Sequence, residues 1–359
     1  MIKEAIVRIV QREELNEEEI RTLVREILQG QATSAQLGAL VTALRMKGES
    51  VAEIVGAAKE VRAESLKIDL QGSGVNIDRG EINIEDETLM NTCTLGEDCT
   101  KTFNVSTATA LVVAGAGLEV VKHGYRTDSS FCGSADVLEA LGVNLDISRS
   151  DAQRCVNETG ICFLYAPLFH MGMSHVVGPR REIGIRTIFN LISPLVNPAG
   201  SEFQVLGVYQ PDLTEKMAAV LQQLGRKSAY VFCGETTLDE ISICGRTRIT
   251  RLLNGSIETE ELSPEDFGLR AGTLQDIAGG NAVENARIIR SILQGEKGPR
   301  RDMVAVNAAA AFVTTGMEAA FPEAIKRAKT VIDSGDAGRK LENVIDFTRQ
   351  CAPFVRKEL

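Results

Sequence analysis

The first 64 residues have the hydrophobic period of amphipathic helices. Apolar residues recur three and four positions apart in three segments, and each segment opens with a capping box, in which two side chains satisfy exposed backbone N–H groups. The three capping boxes are Asn16 with Glu19, Thr33 with Gln36 and Ser50 with Glu53. A weaker amphipathic stretch, 2–10, precedes them. The pattern predicts four short helices, which form a thin core and should pack on a larger domain, a partner subunit or both.

From about residue 91 the pattern changes to apolar stretches that alternate with helical ones. Such alternation predicts a mostly parallel sheet covered by helices. The predicted helices are 106–115, 135–141 and 213–224, and the predicted strands are 118–121, 203–208, 229–232 and 240–243. Residues 65–93 contain several glycines and an alternating segment, 82–84, and are interpreted as a hinge followed by a hairpin-like excursion.

Composition and charge exclude several function classes. The chain has 39 Lys and Arg against 49 Asp and Glu, which gives a formal net charge of −10. Such a chain is a poor nucleic-acid binder, because affinity for nucleic acids rests on basic contacts to phosphate. Aromatic residues are 4% with no Trp, so platforms for base stacking are not expected.

The chain has no apolar stretch long enough to span a membrane and no apolar signal core after Met1. Its eight cysteines are dispersed, with no CxxC pair, and are expected to be reduced. We therefore expect a cytoplasmic protein without a membrane partner.

The stretch 122–130 suits a phosphorylated ligand. It follows a predicted strand and combines Lys122, His123 and Gly124 with the pair Ser129-Ser130. Ligands bind beyond the carboxyl ends of strands in open α/β sheets, where lysine offers a charge and glycine lets N–H groups approach. A solvated polar turn is the alternative.

A second polar stretch, 102–107, lies at the start of a predicted helix. It contains Asn104, Ser106 and Thr107. Unpaired N–H groups and the helix dipole favour an anion at this position. Ordinary capping by Asn104 or Ser106 is the alternative.

Three further groups are candidates for binding a cation or a carboxylate. The adjacent carboxylates of Asp239 and Glu240 can hold Mg²⁺, which often bridges protein and substrate phosphates. Arg180 can grip a carboxylate in two places. His170 is one of three histidines. The alternatives are a solvated acidic pair, a surface ion pair and a structural histidine.

Together these segments resemble the anthranilate phosphoribosyltransferase family over almost the whole chain. The motifs that carry the resemblance are Ala43-Leu44-Arg45-Met46-Lys47-Gly48-Glu49, Phe103-Asn104-Val105-Ser106-Thr107-Ala108, Lys122-His123-Gly124, Cys132-Gly133-Ser134-Ala135-Asp136, Gly184-Ile185-Arg186-Thr187, Asn197-Pro198, Leu206-Gly207-Val208-Tyr209, Leu238-Asp239-Glu240 and Ala278-Gly279-Gly280.

The resemblance implies an α/β fold of the nucleoside phosphorylase and phosphoribosyltransferase type. A small N-terminal helical bundle domain (1–70, with a contribution from about 175–200) would join a larger α/β domain (71–359) with a mostly parallel central sheet. It also implies a homodimer formed through the helical domain. The implied reaction belongs to tryptophan biosynthesis and transfers ribose 5-phosphate from phosphoribosyl pyrophosphate to the amine of anthranilate with the aid of Mg²⁺. Catalysis would consist of positioning and charge neutralisation, without a covalent nucleophile.

The resemblance assigns roles by position. The implied donor-binding residues are Gly96, Asp98, Thr102, Asn104, Ser106, Thr107, Lys122, Gly124, Ser129 and Ser130. The implied metal ligands are Ser106, Asp239 and Glu240. Arg180 would face the carboxylate of the small aromatic acid, and His123 and His170 would border its pocket. No residue is assigned a catalytic role.

The chain departs from the family in the diphosphate loop. The family reads Gly-Thr-Gly-Gly-Asp-Gly where this chain has Thr94-Leu95-Gly96-Glu97-Asp98-Cys99. Glu97 adds a negative charge where pyrophosphate should lie, which at about 5 Å and an effective dielectric near 20 costs about 3 kcal/mol. Further departures are Tyr125, Asp128, Phe131, Met171 and Ser193.

Three functions stay open on the sequence. The first is phosphoribosyl transfer to anthranilate or a related aromatic acceptor. The second is a same-fold paralogue that binds another phosphorylated or nucleoside-like ligand, and the third is a non-catalytic binding protein. The presence of Asp239 and Glu240 argues against the third.

Overall fold

The computed structural model describes residues 1–69, 74–79, 102–124 and 132–352. The four predicted N-terminal helices are confirmed as α1 Ile2–Val10, α2 Glu17–Leu28, α3 Ser34–Lys47 and α4 Val51–Glu64. All three capping boxes form. In the first, the Asn16 side chain accepts the N–H groups of Glu18 and Glu19, and the Glu19 carboxylate accepts the Asn16 N–H at 2.9 Å. The sequence thus fixes where α2, α3 and α4 begin.

The rest of the described chain alternates between helices and strands, as predicted. Its α-helices are α5 Val105–Gly115, α6 Ser134–Leu141, α7 Arg149–Thr159, α8 Ala166–Phe169, α9 Ser174–Ile183, α10 Ile188–Ile192, α11 Leu213–Gln223, α12 Ala282–Leu293, α13 Pro299–Thr314, α14 Phe321–Asp333 and α15 Asp336–Gln350. The strands are β1 Val75–Arg79, β2 Val120–Gly124, β3 Ile161–Tyr165, β4 Phe203–Gly207, β5 Ser228–Gly234, β6 Thr247–Leu253 and β7 Ser256–Leu262.

The strands form one mostly parallel sheet in the order β3-β2-β1-β4-β5-β6-β7. The first five strands are parallel, and β6 and β7 extend the sheet in antiparallel pairing. Gly124 pairs with Tyr165, Arg79 with Gly207, and Gly207 with Phe232. This register places the carboxyl ends of the parallel strands at one edge of the sheet, where ligands bind in open α/β folds.

Helices cover both faces of the sheet. On one face α13 packs against α5, β4 and β5, and its run of buried alanines, 308–311, lets the two helices approach closely. On the other face α11 packs against β5 and β6 and also contacts α4, which joins the N-terminal helices to the sheet. Helices α9 and α10 pack on α2, α3 and α4 and share their apolar core. Within the described ranges, no helix has both the length and the apolar character to cross a membrane.

Parts of the sequence interpretation need correction or extension. The predicted strand 240–243 is wrong, because these residues direct their backbone hydrogen bonds to side chains: Ile241 N–H donates to Asn307 and Ser242 N–H to Thr247. Part of the stretch interpreted as a hinge is the central strand β1. The predicted segment 82–84 lies outside the described residues. The β6–β7 hairpin was not predicted, although Asn254-Gly255 at its turn, both at positive φ, is a strong hairpin signal.

Candidate active site

Several of the predicted site residues of the described chain lie at the carboxyl edge of the sheet and at the start of α5. Lys122 and His123 directly precede Gly124, the last residue of β2, and both side chains are buried. Thr102 forms an isolated antiparallel bridge with Ala278, which brings the 278–280 segment alongside the residues that precede α5. The site is therefore assembled from three chain segments far apart in sequence.

Asn104 occupies the N-cap position of α5 but serves as a framework residue. Within the described part of the chain its side chain makes no capping bond to the helix. The alternative that Asn104 is an ordinary helix cap is therefore wrong. Its Oδ1 accepts a hydrogen bond from Asn285 Nδ2 at 2.9 Å, and its Nδ2 donates to the Cys132 carbonyl at 3.3 Å. The amide thus ties the start of α5 to α12 and to the residues before α6.

The first turn of α5 carries two buried hydroxyls that have no partner among the residues the structure describes. Neither Ser106 Oγ nor Thr107 Oγ1 has a hydrogen-bond partner within the described structure. Both residues are buried, and an unpaired buried hydroxyl costs about 1–3 kcal/mol. Because the turn also lies at the positive end of the helix dipole, the hydroxyls point to a polar or anionic ligand at this place.

Asp239 and Glu240 share a cavity with Ser106, one of these two residues. A narrow cavity is lined on its polar side by Ser106, Thr109, Asp239, Glu240 and Asn307. Glu240 is only 2% exposed, and its Oε1 accepts a hydrogen bond from Thr102 Oγ1 at 3.2 Å.

Glycine at the end of β4 allows the acidic segment to come this close. A Cβ at Gly207 would collide with the backbone carbonyl of Asp239. The segment that carries the two carboxylates therefore lies directly against the end of a central strand, and a side chain at Gly207 would displace it.

The donor set fits Mg²⁺. Two adjacent carboxylates and a hydroxyl are hard oxygen ligands, and Mg²⁺ is commonly bound by one or two carboxylates together with substrate phosphates. Across the described ranges, no three His, Cys, Asp or Glu residues are grouped so as to hold a metal ion. Two carboxylates and a hydroxyl suit a cation that is shared with a phosphorylated ligand.

His123 and His170 form a buried pair. Their ring centroids are 4.9 Å apart and the rings meet edge to face at 80°. Burial holds the pKa of His123 well below its usual value, and the nearby His170 and Lys122 lower it further. Burial also lowers the pKa of His170, to about 4. Both rings are neutral at pH 7, and neither nitrogen of His170 has a hydrogen-bond partner among the described residues.

Arg180 lies near the end of α9, which packs on α2 and α3. Its guanidinium carbon is 5.8 Å from the centroid of the Phe189 ring, a cation–π contact that holds one face of the group. The edge of the guanidinium can then present N–H groups to a planar anion.

Several predicted residues lie outside the described residues, namely Gly96, Asp98, Ser129 and Ser130, together with the departures at 94–99, Tyr125, Asp128 and Phe131. Other residues at the site were missed by sequence reasoning. Thr109 lies one turn after Ser106, and that spacing is a signal that was available. Asn285 and Asn307 gave no local signal. Asn285 binds Asn104, which is 181 residues away, and Asn307 binds Ile241, which is 66 residues away.

Two family models match the chain. The glycosyl transferase family helical bundle domain matches residues 3–65, and the glycosyl transferase family a/b domain matches residues 86–338.

Relatives and solved structures agree over nearly the full length. The chain is 47% identical to the anthranilate phosphoribosyltransferase of Geotalea uraniireducens over 98% of this chain and 100% of that protein. It is similar to the crystal structure of the Thermus thermophilus enzyme of the same name, with 35% identity, a TM-score of 0.86 and coverage of 96% and 99% of the two chains. It is also similar to the Saccharomyces cerevisiae enzyme in complex with PRPP and Mg, with 28% identity, a TM-score of 0.84 and coverage of 97% and 98%. Sequence and fold agree, and the chain belongs to the anthranilate phosphoribosyltransferase family.

Proposed function

We propose that this protein transfers the phosphoribosyl group of phosphoribosyl pyrophosphate to the amine of anthranilate or a related aromatic acid, as a step of tryptophan biosynthesis. The observation that carries the proposal is the pairing of unpartnered hydroxyls on α5 with the carboxylates of Asp239 and Glu240 across one cavity. Leaving pyrophosphate is highly charged, and this arrangement provides both anion-binding donors and oxygens for a cation.

The donor side of the site would work by positioning. The start of α5, with Ser106 and Thr107, would receive the pyrophosphate, and Lys122 would add a fixed positive charge. Asp239, Glu240 and Ser106 would hold Mg²⁺, which when bound neutralises charge on the pyrophosphate. Thr102, Asn104 and Gly124 would shape the same wall. The donor roles of Gly96, Asp98, Ser129 and Ser130 belong to this proposal as well.

The acceptor side would use neutral imidazoles and one cation. His123 and His170 are uncharged at pH 7 because burial lowers the pKa of each. Neutral edges suit the aromatic ring of the acceptor and do not compete with Arg180 for its carboxylate. Arg180 would bind that carboxylate, for which a guanidinium is well shaped. The amine would then be held toward the carbon that loses pyrophosphate, and the gain in rate would come from orientation.

The assembly and location belong to the proposal too. We infer a helical domain of residues 1–70, with a contribution from about 175–200, and an α/β domain of 71–359. We also infer a homodimer through the helical domain, in the cytoplasm. Apolar side chains support the dimer: Val7, Val10 and Met46 of α1 and α3 are more than half exposed.

One observation favours a second candidate, a same-fold enzyme with another phosphorylated or nucleoside-like ligand. The stretch 94–99 carries Glu97 and few of the family's glycines. The two candidates differ in donor use, so one assay separates them.

The assay incubates the purified chain with phosphoribosyl pyrophosphate, MgCl₂ and anthranilate and measures release of pyrophosphate. Turnover that requires all three components supports the first candidate. Release of free base from a nucleoside in the presence of phosphate, or consumption of another phosphorylated sugar, with no pyrophosphate released from this donor, supports the second.

A further inference from the structure

We propose that Asn285 and Asn307 are positioning residues that set the two halves of the active site. Each is a buried amide on a helix behind the site, and each clamps one segment that carries ligand-binding groups. The inference rests on the proposed function, because it assigns the first half to pyrophosphate and the second to Mg²⁺.

Asn285 holds the pyrophosphate half. It lies in the first turn of α12 and is 3% exposed. Its Nδ2 donates to Asn104 Oδ1 at 2.9 Å and to the Gly280 carbonyl at 3.0 Å, and its Oδ1 accepts the Gly280 N–H at 2.8 Å. One amide thus joins the N-cap residue of α5 to the 278–280 segment.

The packing around this clamp leaves little room for adjustment. A Cβ at Gly279 would lie 2.7 Å from the Cα of Phe103, so the segment touches the backbone that leads into Asn104. Phe103 N–H also donates to the Ile277 carbonyl at 3.2 Å. Loss of the Asn285 donor would free the start of α5 from α12 and shift Ser106 and Thr107 with it.

Asn307 holds the cation half. It lies within α13, is buried, and lines the cavity together with Asp239 and Glu240. Its Oδ1 accepts the Ile241 N–H at 3.0 Å, and its Nδ2 donates to the Ile241 carbonyl at 2.9 Å. Both polar groups of the residue after Glu240 are therefore fixed by one side chain.

An amide is the group suited to both tasks. It donates and accepts at once and carries no charge, so it clamps a peptide group without repelling pyrophosphate or competing for a cation. The segment 239–243 is not a strand, so no ladder of backbone bonds would keep the carboxylates in place without Asn307.

The test uses two binding titrations on the full chain. The first is calorimetric titration with phosphoribosyl pyrophosphate at saturating Mg²⁺. The second is titration with Mn²⁺ at saturating phosphoribosyl pyrophosphate, with free Mn²⁺ followed by electron paramagnetic resonance. The variants are Asn285→Asp and Asn307→Asp, which keep an acceptor oxygen and lose the bonds donated by Nδ2, namely those of Asn285 to Asn104 and Gly280 and those of Asn307 to Ile241 and Met303.

We expect a different signature from each variant. Asn285→Asp should weaken donor binding about 10–100-fold and leave Mn²⁺ binding within threefold, whereas Asn307→Asp should weaken Mn²⁺ binding about 10–100-fold and change donor binding less. Asn281→Asp is the matched control for charge at the start of α12, because Asn281 caps that helix and Asp caps equally well. Thr314→Val is the control for a lost buried bond within α13. Both controls should leave both Kd values within twofold.

Thermal unfolding of each variant checks that it is folded at the titration temperature, because a reversibly unfolded fraction would also raise the apparent Kd. Where an Asp variant yields no folded protein, the uncharged variants Asn285→Ser and Asn307→Ser replace it. Both Kd values within twofold of wild type in folded variants would overturn the proposal, and so would exchanged signatures. A wild-type chain that binds neither donor nor Mn²⁺ would instead overturn the proposed function itself.

Discussion

Glu53 of the N-terminal helices and the first turn of α5 at the sheet edge differ in how their buried polar groups are hydrogen-bonded. In the helices, Glu53 is fully buried and accepts hydrogen bonds from the N–H of Leu15, the N–H of Ser50 and the Lys47 ammonium. At the sheet edge, the hydroxyls of Ser106 and Thr107 and both nitrogens of His170 are buried and have no partner within the described residues. The Glu53 carboxylate is satisfied within the fold, whereas these hydroxyls and ring nitrogens at the sheet edge are not satisfied by the described protein.

This contrast separates groups that stabilise the fold from groups that bind a ligand. A buried charge that is fully paired is costly to break, but it offers nothing to a second molecule. A buried hydroxyl without a partner costs stability and is retained where a ligand completes its hydrogen bonds. Substitutions in the two regions should therefore affect different measured quantities.

The largest effect is expected at Glu240. Glu240→Gln keeps the shape of the side chain and an oxygen for Thr102, but it removes a negative charge that the cation needs. We expect kcat/KM to fall about 100–1000-fold while the thermal midpoint moves by only a few degrees. Steady-state kinetics and thermal unfolding measure the two quantities. Glu235→Gln, at an exposed glutamate of the same segment, is the control and should stay within twofold of wild type.

Glu53 should show the opposite pattern. Glu53→Gln leaves the Lys47 ammonium, which is 5% exposed, without its counter-charge, so the free energy of unfolding should fall by about 3–5 kcal/mol. Urea unfolding measures this loss, and KM for both substrates should not change. Glu17→Gln removes the more exposed pair with Lys59 and should cost less than about 1 kcal/mol. Equal losses for the two variants would contradict the assignment.

A smaller effect is expected from pH acting on His170. Its pKa is about 4 in the folded protein against 6.5 for an ordinary histidine, so the unfolded chain binds a proton first as pH falls. Stability from this residue is complete above about pH 6.5 and is lost between 6.5 and 4, by about 3 kcal/mol in total. His170→Asn should make the free energy of unfolding depend less steeply on pH in that window. Parallel curves for wild type and variant would show that His170 does not contribute.

Local patterns predicted most of the fold. The capping boxes placed α2, α3 and α4, because a helix start depends on residues three positions apart. The strand predicted at 240–243 failed because its apolar residues are buried without pairing to another strand, and residue type alone cannot show this. The central strand β1 was hidden by the glycines around it.

Sequence analysis could predict only those parts of the candidate site whose residues stand in short local motifs. Asp239, Glu240 and Ser106, the proposed ligands of Mg²⁺, stand in recognisable stretches and are therefore visible in the sequence. Asn285 and Asn307 act on groups that are distant in the chain, and a single asparagine in a helix gives no sign of its partner. The contact between the His123 and His170 rings likewise depends on the β2–β3 register and on the short helix α8, which ends just before His170.

The central claim is that the unpartnered hydroxyls of α5 and the carboxylates of Asp239 and Glu240 form one ligand site. A crystal structure with phosphoribosyl pyrophosphate and Mg²⁺ tests it most directly. We predict electron density for pyrophosphate in contact with Ser106 and Thr107, and for a cation in contact with Asp239 or Glu240. Density for the donor elsewhere on the chain, with Ser106 and Thr107 still without partners, would contradict it.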